Sequence, residues 1–225
     1  NSFMPGLLIG IAGAIKIVPM AFCIYLFATK NYKSMFACFI TFIFLTLLSL
    51  NFYDLTLKAF LIDFSTEYAD YKSKYIIGSW AMSFFSDPWL LSRGFFAYLD
   101  HSEILIESYY VIYNFIQILW MSFLTIFVFV FRENISKLFI LLLIGMMMIG
   151  FPAPSNDYKI LYMLPGAVLY LSNLNKNHST ATHILGIASI LLFLHYSFFY
   201  LFKYISLSSF IRPIFYIISM LSITY

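Results

Sequence analysis

Few side chains in this sequence are suited to chemistry, and those few interrupt long apolar runs. Lys16 lies near the middle of the first run and is followed three residues later by Pro19. A charged side chain at the centre of a bilayer costs about 2.5–3.5 kcal/mol on insertion scales, so such a lysine needs an anionic partner or a water-filled cavity. Lys16 is therefore predicted either to snorkel to the interface, or to contact an anionic ligand or a neighbouring helix.

A second group of polar residues lies in a short turn, residues 151–159, between two apolar runs. Ser155 or Asn156 is predicted to cap the next helix, which places Asp157 in the first turn, where the helix dipole favours an acid. Capping alone suffices to explain Asp157. The same helix start offers N–H groups to an anion with Lys159 beside them, an arrangement suited to a lipid phosphate.

Two further residues are candidates for the same chemistry. Arg212 precedes Pro213 in or near the last apolar run. It is predicted to snorkel, to pair with an acid or to bind a phosphate as a bidentate donor. Asp87 precedes Pro88 among aromatic residues. Most acids of that segment make it soluble on one side, and Asp87, as the least solvated of them, is the candidate in this chain for a general base.

No metal or cofactor site is predicted. The four histidines, His101, His178, His183 and His195, are scattered, and the middle pair has the wrong helical spacing for a shared metal. The sequence carries no phosphate-binding glycine loop, nucleophile elbow or nucleotide fingerprint.

Three glycines and two cysteines in the first apolar runs are predicted to have structural roles. Glycines 6, 10 and 13 are predicted to let helices approach closely, and cysteines 23 and 38 to be small buried apolar residues.

The composition sets the class of protein. Of 225 residues, 62% are hydrophobic and only 10% are charged, and the mean hydropathy is +0.89. Soluble domains carry about 25% charged residues, so lipid must be the solvent for much of this surface. The net charge of +3 is too small to indicate nucleic acid as a partner. These values predict an all-α fold, a polytopic transmembrane helical bundle.

Seven apolar runs approach the roughly 20 residues that a bilayer requires. Lys16 and Pro19 interrupt the first, and Pro165-Gly166 is predicted to kink the fifth. The predicted spans are residues 5–28, 34–53, 108–131, 138–151, 158–172, 184–202 and 207–223.

The distribution of charge predicts the orientation. The short loops on one side carry most of the basic residues, which places that side in the cytoplasm and residues 151–159 outside. The basic loop residues are Lys30, Lys33, Arg132, Lys137 and Lys176. Three regions follow: two N-terminal transmembrane helices in 1–53, an outer interfacial segment in 54–107 and a five-helix transmembrane region in 108–225. The apolar residues at the start of the outer segment share one helical face, as in a helix that lies among lipid headgroups.

Two stretches resemble a known family. Residues 7–19 (LLIGIAGAIKIVP), followed by an apolar half-helix and a basic turn, resemble the G-x-x-x-x-x-K-x-x-P helix of glycosyltransferase family 87. Residues 152–159 (PAPSNDYK), leading into 161–165 (LYMLP), resemble a later outer loop of the family and the helix after it. The two motifs occur in the same order as in that family and at a fitting separation. The family depends on polyprenol phosphate and belongs to the C-type (GT-C) membrane glycosyltransferases.

The resemblance implies an enzyme that transfers a sugar, often mannose or arabinose, from a polyprenyl-phosphate donor to a lipid or polysaccharide acceptor. The reaction would take place on the outer face of a bacterial plasma membrane, in which the protein would be an integral multi-pass component. Donor-phosphate binding is then expected from Lys159, Ser155, Asp157, Lys16 and Arg212. The family's catalytic carboxylate lies in a first outer loop, which we expect upstream of Asn1. The chain departs from the family in having Tyr158-Lys159 where a histidine is frequent, and in lacking the central Asn-Gln-Ser stretch.

Three other classes of protein fit the composition. A transporter or flippase for lipid-linked saccharides would explain Lys16, but it predicts internal repeats with matched broken helices, which the sequence lacks. A polymerase or ligase of lipid-linked saccharides would be expected to carry a large outer loop with arginines, whereas only Arg93 lies in this segment. A structural subunit of a membrane complex is compatible with the composition.

Overall fold

The computed structural model describes residues 3–71, 103–150 and 161–193, two short strands, and residues 214, 215, 218 and 221 near the C-terminus. The chain forms two compact units, residues 1–72 and 73–225, which are considered separately. Apart from the two short strands, the regular elements of the described residues are helices, joined by short turns. This confirms the all-α fold class.

The first unit begins with a helix that is broken where the sequence predicts it. Helix α1 is Met4–Ile15, a 3-10 turn follows at Val18–Ala21, and α2 is Phe22–Ala28. The break arises because Pro19 lacks the N–H group that would continue the hydrogen-bond ladder. Two longer helices complete the unit, α3 at Tyr32–Phe52 and α4 at Leu57–Tyr71.

The glycines of α1 lie against α3. A Cβ atom added at Gly6 would collide with the carbonyl group of Ser34, and one at Gly10 would lie 2.7 Å from the carbonyl oxygen of Cys38. Both obstacles are backbone atoms, so no side-chain rotation could relieve them. The glycines therefore permit backbone contact between the helices, as predicted from their spacing.

Both cysteines are buried where α2 meets α3, which confirms their interpretation as small core residues. Neither forms a disulfide, and the Sγ atoms of Cys23 and Cys38 lie 3.2 Å apart. The Sδ atom of Met20 lies 3.7 Å from Cys38 Sγ, so the 3-10 turn also packs against α3. These sulfur contacts fix the chain immediately after the break.

Side-chain caps begin the two longer helices of this unit. The Asn31 side chain accepts a hydrogen bond from the Ser34 N–H at 3.4 Å, and Thr56 Oγ1 accepts one from the Ala59 N–H at 3.2 Å. Helix α4 contains no buried residue. Along it the rings of Phe60, Phe64 and Tyr68 stack in succession, with centroids 6.2 and 6.3 Å apart. A helix is thus present at the start of the predicted outer segment, while its position at the membrane interface stays a prediction.

The second unit is built around one fully buried helix. Its helices are α5 at Glu103–Phe131, α6 at Lys137–Gly150, α7 at Leu164–Ser172 and α8 at Thr180–Leu191. In α6 every residue from Phe139 to Ile149 is buried. Its three consecutive methionines suit this position, since their flexible side chains fill irregular gaps. Two strands, β1 at Tyr200–Phe202 and β2 at Ile205–Ser206, form an antiparallel pair.

Two described helices have the length and hydropathy to cross a membrane, residues 32–52 and 108–131. Only 6% of the most apolar window of α3 is buried, which excludes a core helix of a soluble domain as the explanation for that helix. Five further apolar helices are shorter than a span. Seven spans are therefore not confirmed, while the predicted runs 34–53 and 138–151 correspond closely to α3 and α6.

Two local predictions were wrong. Pro165 does not kink a helix but lies in the first turn of α7, a position that tolerates its missing N–H. The predicted span 184–202 is not one helix, because α8 ends at Leu191 and residues 200–202 form β1. Tyrosine and phenylalanine are common in strands, and an apolar run by itself does not distinguish a strand from a helix.

Gly6→Ala is expected to destabilise the protein by about 1–3 kcal/mol, because its methyl group would meet backbone atoms of α3. Thermal unfolding in detergent would measure the loss. Leu8→Phe is the control, since Leu8 is 60% exposed and extra volume there meets open space. Equal melting temperatures for Gly6→Ala and the parent protein would contradict the backbone contact.

Candidate functional site

Among the residues predicted to bind the donor phosphate, Lys16 lies in the part of the chain that the structure describes. The other candidates lie outside the described residues, namely Ser155, Asp157, Lys159 and Arg212, and so does the candidate base Asp87. Their convergence on one site stays a prediction.

Lys16 is the residue at which α1 ends. Its backbone is extended (φ −153°, ψ 121°), and its N–H donates the last helical hydrogen bond to the Ala12 carbonyl at 2.9 Å. The next backbone bond of the chain, from Met20 N–H to the Ile17 carbonyl at 2.9 Å, belongs to the 3-10 turn. The Lys16 side chain is exposed on the surface of the unit.

The position of Lys16 along the first apolar run has chemical consequences. Helix α1 has 12 residues, so it is about 18 Å long at 1.5 Å per residue. A hydrocarbon core is about 30 Å thick, which puts Lys16 well inside the membrane if α1 starts at an interface. The ends of broken helices within membranes are common ion and substrate contacts in transporters. In that case, the helix break places the ammonium group of Lys16 within the hydrocarbon core of the membrane.

A structural explanation also exists for a cation at this point. The C-terminal end of a helix carries partial negative charge from its last carbonyl groups, and a lysine there is favoured by about 0.3–1 kcal/mol. That gain is smaller than the cost of about 2.5–3.5 kcal/mol for a charge at the membrane centre. The helix end alone would therefore not offset the cost of a charge at that depth.

The second unit contains a polar cleft that the sequence analysis did not predict. Its volume is about 390 Å³, and it lies between the α5–α6 turn and the α7–α8 turn. The polar side chains that line it are Asn134, Ser136, Asn177, His178, Ser179 and Thr182. In the sequence these residues form two short polar loops more than 30 positions apart, and nothing in either loop indicates that they meet.

Hydrogen bonds fix the α7–α8 turn that forms one wall of the cleft. The Oη atom of Tyr170 lies 2.9 Å from Nδ1 of His183, and Nε2 of His178 lies 2.9 Å from the Asn173 carbonyl oxygen. Because a carbonyl only accepts, His178 must donate through Nε2–H. The two imidazole rings have centroids 5.6 Å apart. The histidine pair rejected from the sequence as a metal site thus stabilises a turn.

Both walls of the cleft begin helices with a serine cap. Ser136 Oγ accepts a hydrogen bond from the Phe139 N–H at 3.1 Å, and Ser179 Oγ accepts one from the Thr182 N–H at 3.3 Å. Ser179 Oγ also lies 2.8 Å from the Thr182 hydroxyl. These caps set the starts of α6 and α8 and hold the polar loop residues in place.

The α5–α6 turn and the α7–α8 turn line the same cleft, so the two turns lie at the same end of the unit. That end carries Arg132, Lys137 and Lys176, three of the residues assigned to one side by loop charge. Arg132 forms an ion pair with Glu133 at 3.6 Å. The grouping of these basic loops agrees with the orientation argument, while the side of the membrane on which they lie stays a prediction.

One comparison with known proteins gave a match. The model of the family described as Glycosyltransferase family 87 matches residues 1–152 of the 225. The matched range contains Lys16 and its broken helix, and it ends just beyond α6. No curated protein and no solved structure matches the chain.

Tyr170→Phe is expected to lower the free energy of unfolding by about 0.5–1.5 kcal/mol, because it removes the hydrogen bond to His183 without changing the ring. Tyr170 is 2% exposed, so water would not replace the lost partner. Tyr53→Phe serves as the control, since Tyr53 is 69% exposed. Identical denaturation curves for both variants would show that the Tyr170–His183 contact contributes nothing to stability.

Proposed function

Because the chain belongs to glycosyltransferase family 87, we propose that it transfers a sugar from a polyprenyl-phosphate donor to a lipid or polysaccharide acceptor. Mannose is the first candidate for the sugar, and the non-cytoplasmic face of a bacterial plasma membrane is the proposed location. The chain would be an integral multi-pass protein of the GT-C type. The observation that carries the proposal is the exposed Lys16 at a helix break inside the family-matched region.

The proposed reaction is a displacement at the anomeric carbon of the sugar. The acceptor hydroxyl oxygen forms the new bond to that carbon while the bond from the carbon to the donor phosphate oxygen breaks. A general base takes the hydroxyl proton, and the polyprenyl phosphate leaves with the bonding electrons. Negative charge therefore grows on the phosphate as the reaction proceeds, and a cation placed beside it lowers the barrier.

Lys16 is the proposed cation for that charge. An ammonium group held at a fixed break needs no reorganisation when the phosphate departs, and its effect is larger where water is excluded. Ser155, Asp157, Lys159 and Arg212 are proposed as further phosphate contacts. Asp87 is retained as the candidate base within this chain. Protons and phosphate charge are then handled by different residues.

The aromatic helix α4 supports a lipid-linked substrate. Phe60 is 39% exposed, Phe64 60% and Tyr68 43%, so the stacked rings form an apolar surface on the helix. Rings of this kind are favoured at membrane interfaces, where a polyprenyl chain enters the lipid. Family membership also favours a transferase over the transporter, polymerase and structural-subunit alternatives.

Lys16→Ala is expected to reduce kcat for transfer from a polyprenyl-phosphate sugar by about 100-fold, since removal of one transition-state donor commonly costs 100- to 1,000-fold. Lys16→Arg, which keeps the charge, should retain a larger share of the activity. The assay uses the full-length protein in membranes. Lys33→Ala, at an exposed position in the first turn of α3, is the matched control and should transfer normally. Full activity of Lys16→Ala would remove this lysine from the site.

Lys159→Ala is expected to abolish the same transfer while leaving membrane insertion and protein yield intact. The physical reason is loss of the cation that is proposed to hold the departing phosphate. Measuring donor KM and kcat separately distinguishes a contact made in the ground state from one made only in the transition state. If transfer is unchanged, Lys159 lies outside the phosphate site.

A further inference from the structure

The polar cleft of the second unit is suited to a ligand that the donor-phosphate site does not explain. We propose that it binds a neutral carbohydrate ring, between the α5–α6 turn and the α7–α8 turn. This site is formed by residues 127–182 alone. It uses neither Lys16 nor any of the predicted phosphate contacts, so it does not depend on the proposed transfer reaction.

The described walls of the cleft carry no charged side chain. Among the described residues that line the cleft there is no aspartate, glutamate, lysine or arginine. Sites for phosphate or carboxylate groups usually place arginine or lysine in direct contact with the anion. Here the polar groups are carboxamides, hydroxyls and one imidazole, which bind neutral groups through hydrogen bonds. This set favours a polyol over an anion.

The polar side chains of the cleft include both hydrogen-bond donors and acceptors. The carboxamides of Asn134 and Asn177 can each donate and accept. Ser136 Oγ accepts from the Phe139 N–H, which leaves the hydroxyl proton for donation. His178 donates through Nε2 to the Asn173 carbonyl, which leaves Nδ1 as the ring nitrogen that a ligand could contact. Sugar hydroxyls also donate and accept, and such mixed walls match them.

The lining also has an apolar part, since Phe127 and Phe139 both border the cleft. Phe139 is 4% exposed, so the partly buried Phe127 is the ring that a ligand could reach. The face of an aromatic ring is electron-rich and attracts the weakly positive C–H groups of a sugar ring. A pyranose has a polar edge and faces that are largely C–H. A cleft that combines polar walls with an aromatic ring is therefore suited to it.

Size and position agree with a small ligand. A volume of about 390 Å³ falls within the range of about 300–1,000 Å³ for small-molecule sites. The serine caps explain Ser136 and Ser179 structurally, but neither cap involves Asn134 or Asn177. A rival ligand is an anionic lipid headgroup, since Arg132, Lys137 and Lys176 lie at the same end. It is included in the test.

The test measures binding to the full-length protein in nanodiscs by saturation-transfer NMR and calorimetry, without donor or acceptor substrates. The probes are methyl α-mannoside, methyl α-glucoside, a glycosyl diacylglycerol and phosphatidylglycerol. We expect one of the sugar-bearing probes to bind, and Asn134→Ala with Asn177→Ala to weaken it at least tenfold. Stronger binding of the glycosyl diacylglycerol than of the methyl glycosides would identify a lipid-linked source for the sugar.

The matched control is Asn51→Ala, which removes an exposed asparagine at the end of α3 and should leave the affinity unchanged. Asn134 and Asn177 are exposed turn residues, so their truncation is not expected to unfold the unit, and melting temperatures check this. Absence of sugar binding would overturn the proposal, as would equal affinity for the double variant. If the double variant weakens binding of phosphatidylglycerol but not of the sugar-bearing probes, the cleft binds an anionic headgroup instead. Because no transfer is measured, the result does not depend on the proposed glycosyl transfer.

Discussion

The backbone contact between α1 and α3 is the constraint on which the first unit depends. Gly6 and Gly10 bring the two helices so close that no larger residue fits between them. This contact fixes the direction of α1 and therefore the point at which it ends. Immediately beyond the break, Pro19 is buried and Met20 contacts Cys38. The chain is thus held on both sides of Lys16. These contacts fix the position of its extended backbone within the apolar run.

The two units illustrate opposite solutions for apolar helices. Helix α3 exposes most of its large side chains, which in water would be strongly unfavourable and in lipid is not. Helix α6 is just as apolar, but its residues 139–149 are buried by neighbouring helices. By hydropathy alone, both helices would be predicted to span the membrane. Their burial differs: the exposed surface of α3 requires lipid, whereas α6 is already covered by protein. For this reason the number of apolar runs exceeds the number of described helices that have the length and hydropathy to cross a membrane.

The sequence predicted the features that depend on local chemistry. The break near Lys16 and Pro19, the close approach at Gly6 and Gly10, and the limits of α3 and α6 all follow from proline geometry, glycine size or run length. Features that depend on distant residues were missed. The cleft joins two loops that lie far apart in the chain, and Tyr200–Phe202 becomes a strand because residues 205–206 pair with it. Nothing in the sequence near either segment indicates that the two loops meet or that the two strands pair. The family resemblance came from two stretches, 7–19 and 152–165, and the family match over residues 1–152 supports the first of them independently.

The central claim is that the break at Lys16 opens toward the outer face and holds the phosphate of a lipid-linked donor. The most direct measurement is thiol labelling of Lys16→Cys in intact cells, with Cys23 and Cys38 replaced by alanine. We predict that a membrane-impermeant reagent added outside labels this variant and that polyprenyl phosphate blocks the labelling. Labelling only from the cytoplasmic side, or labelling that polyprenyl phosphate does not affect, would contradict the account.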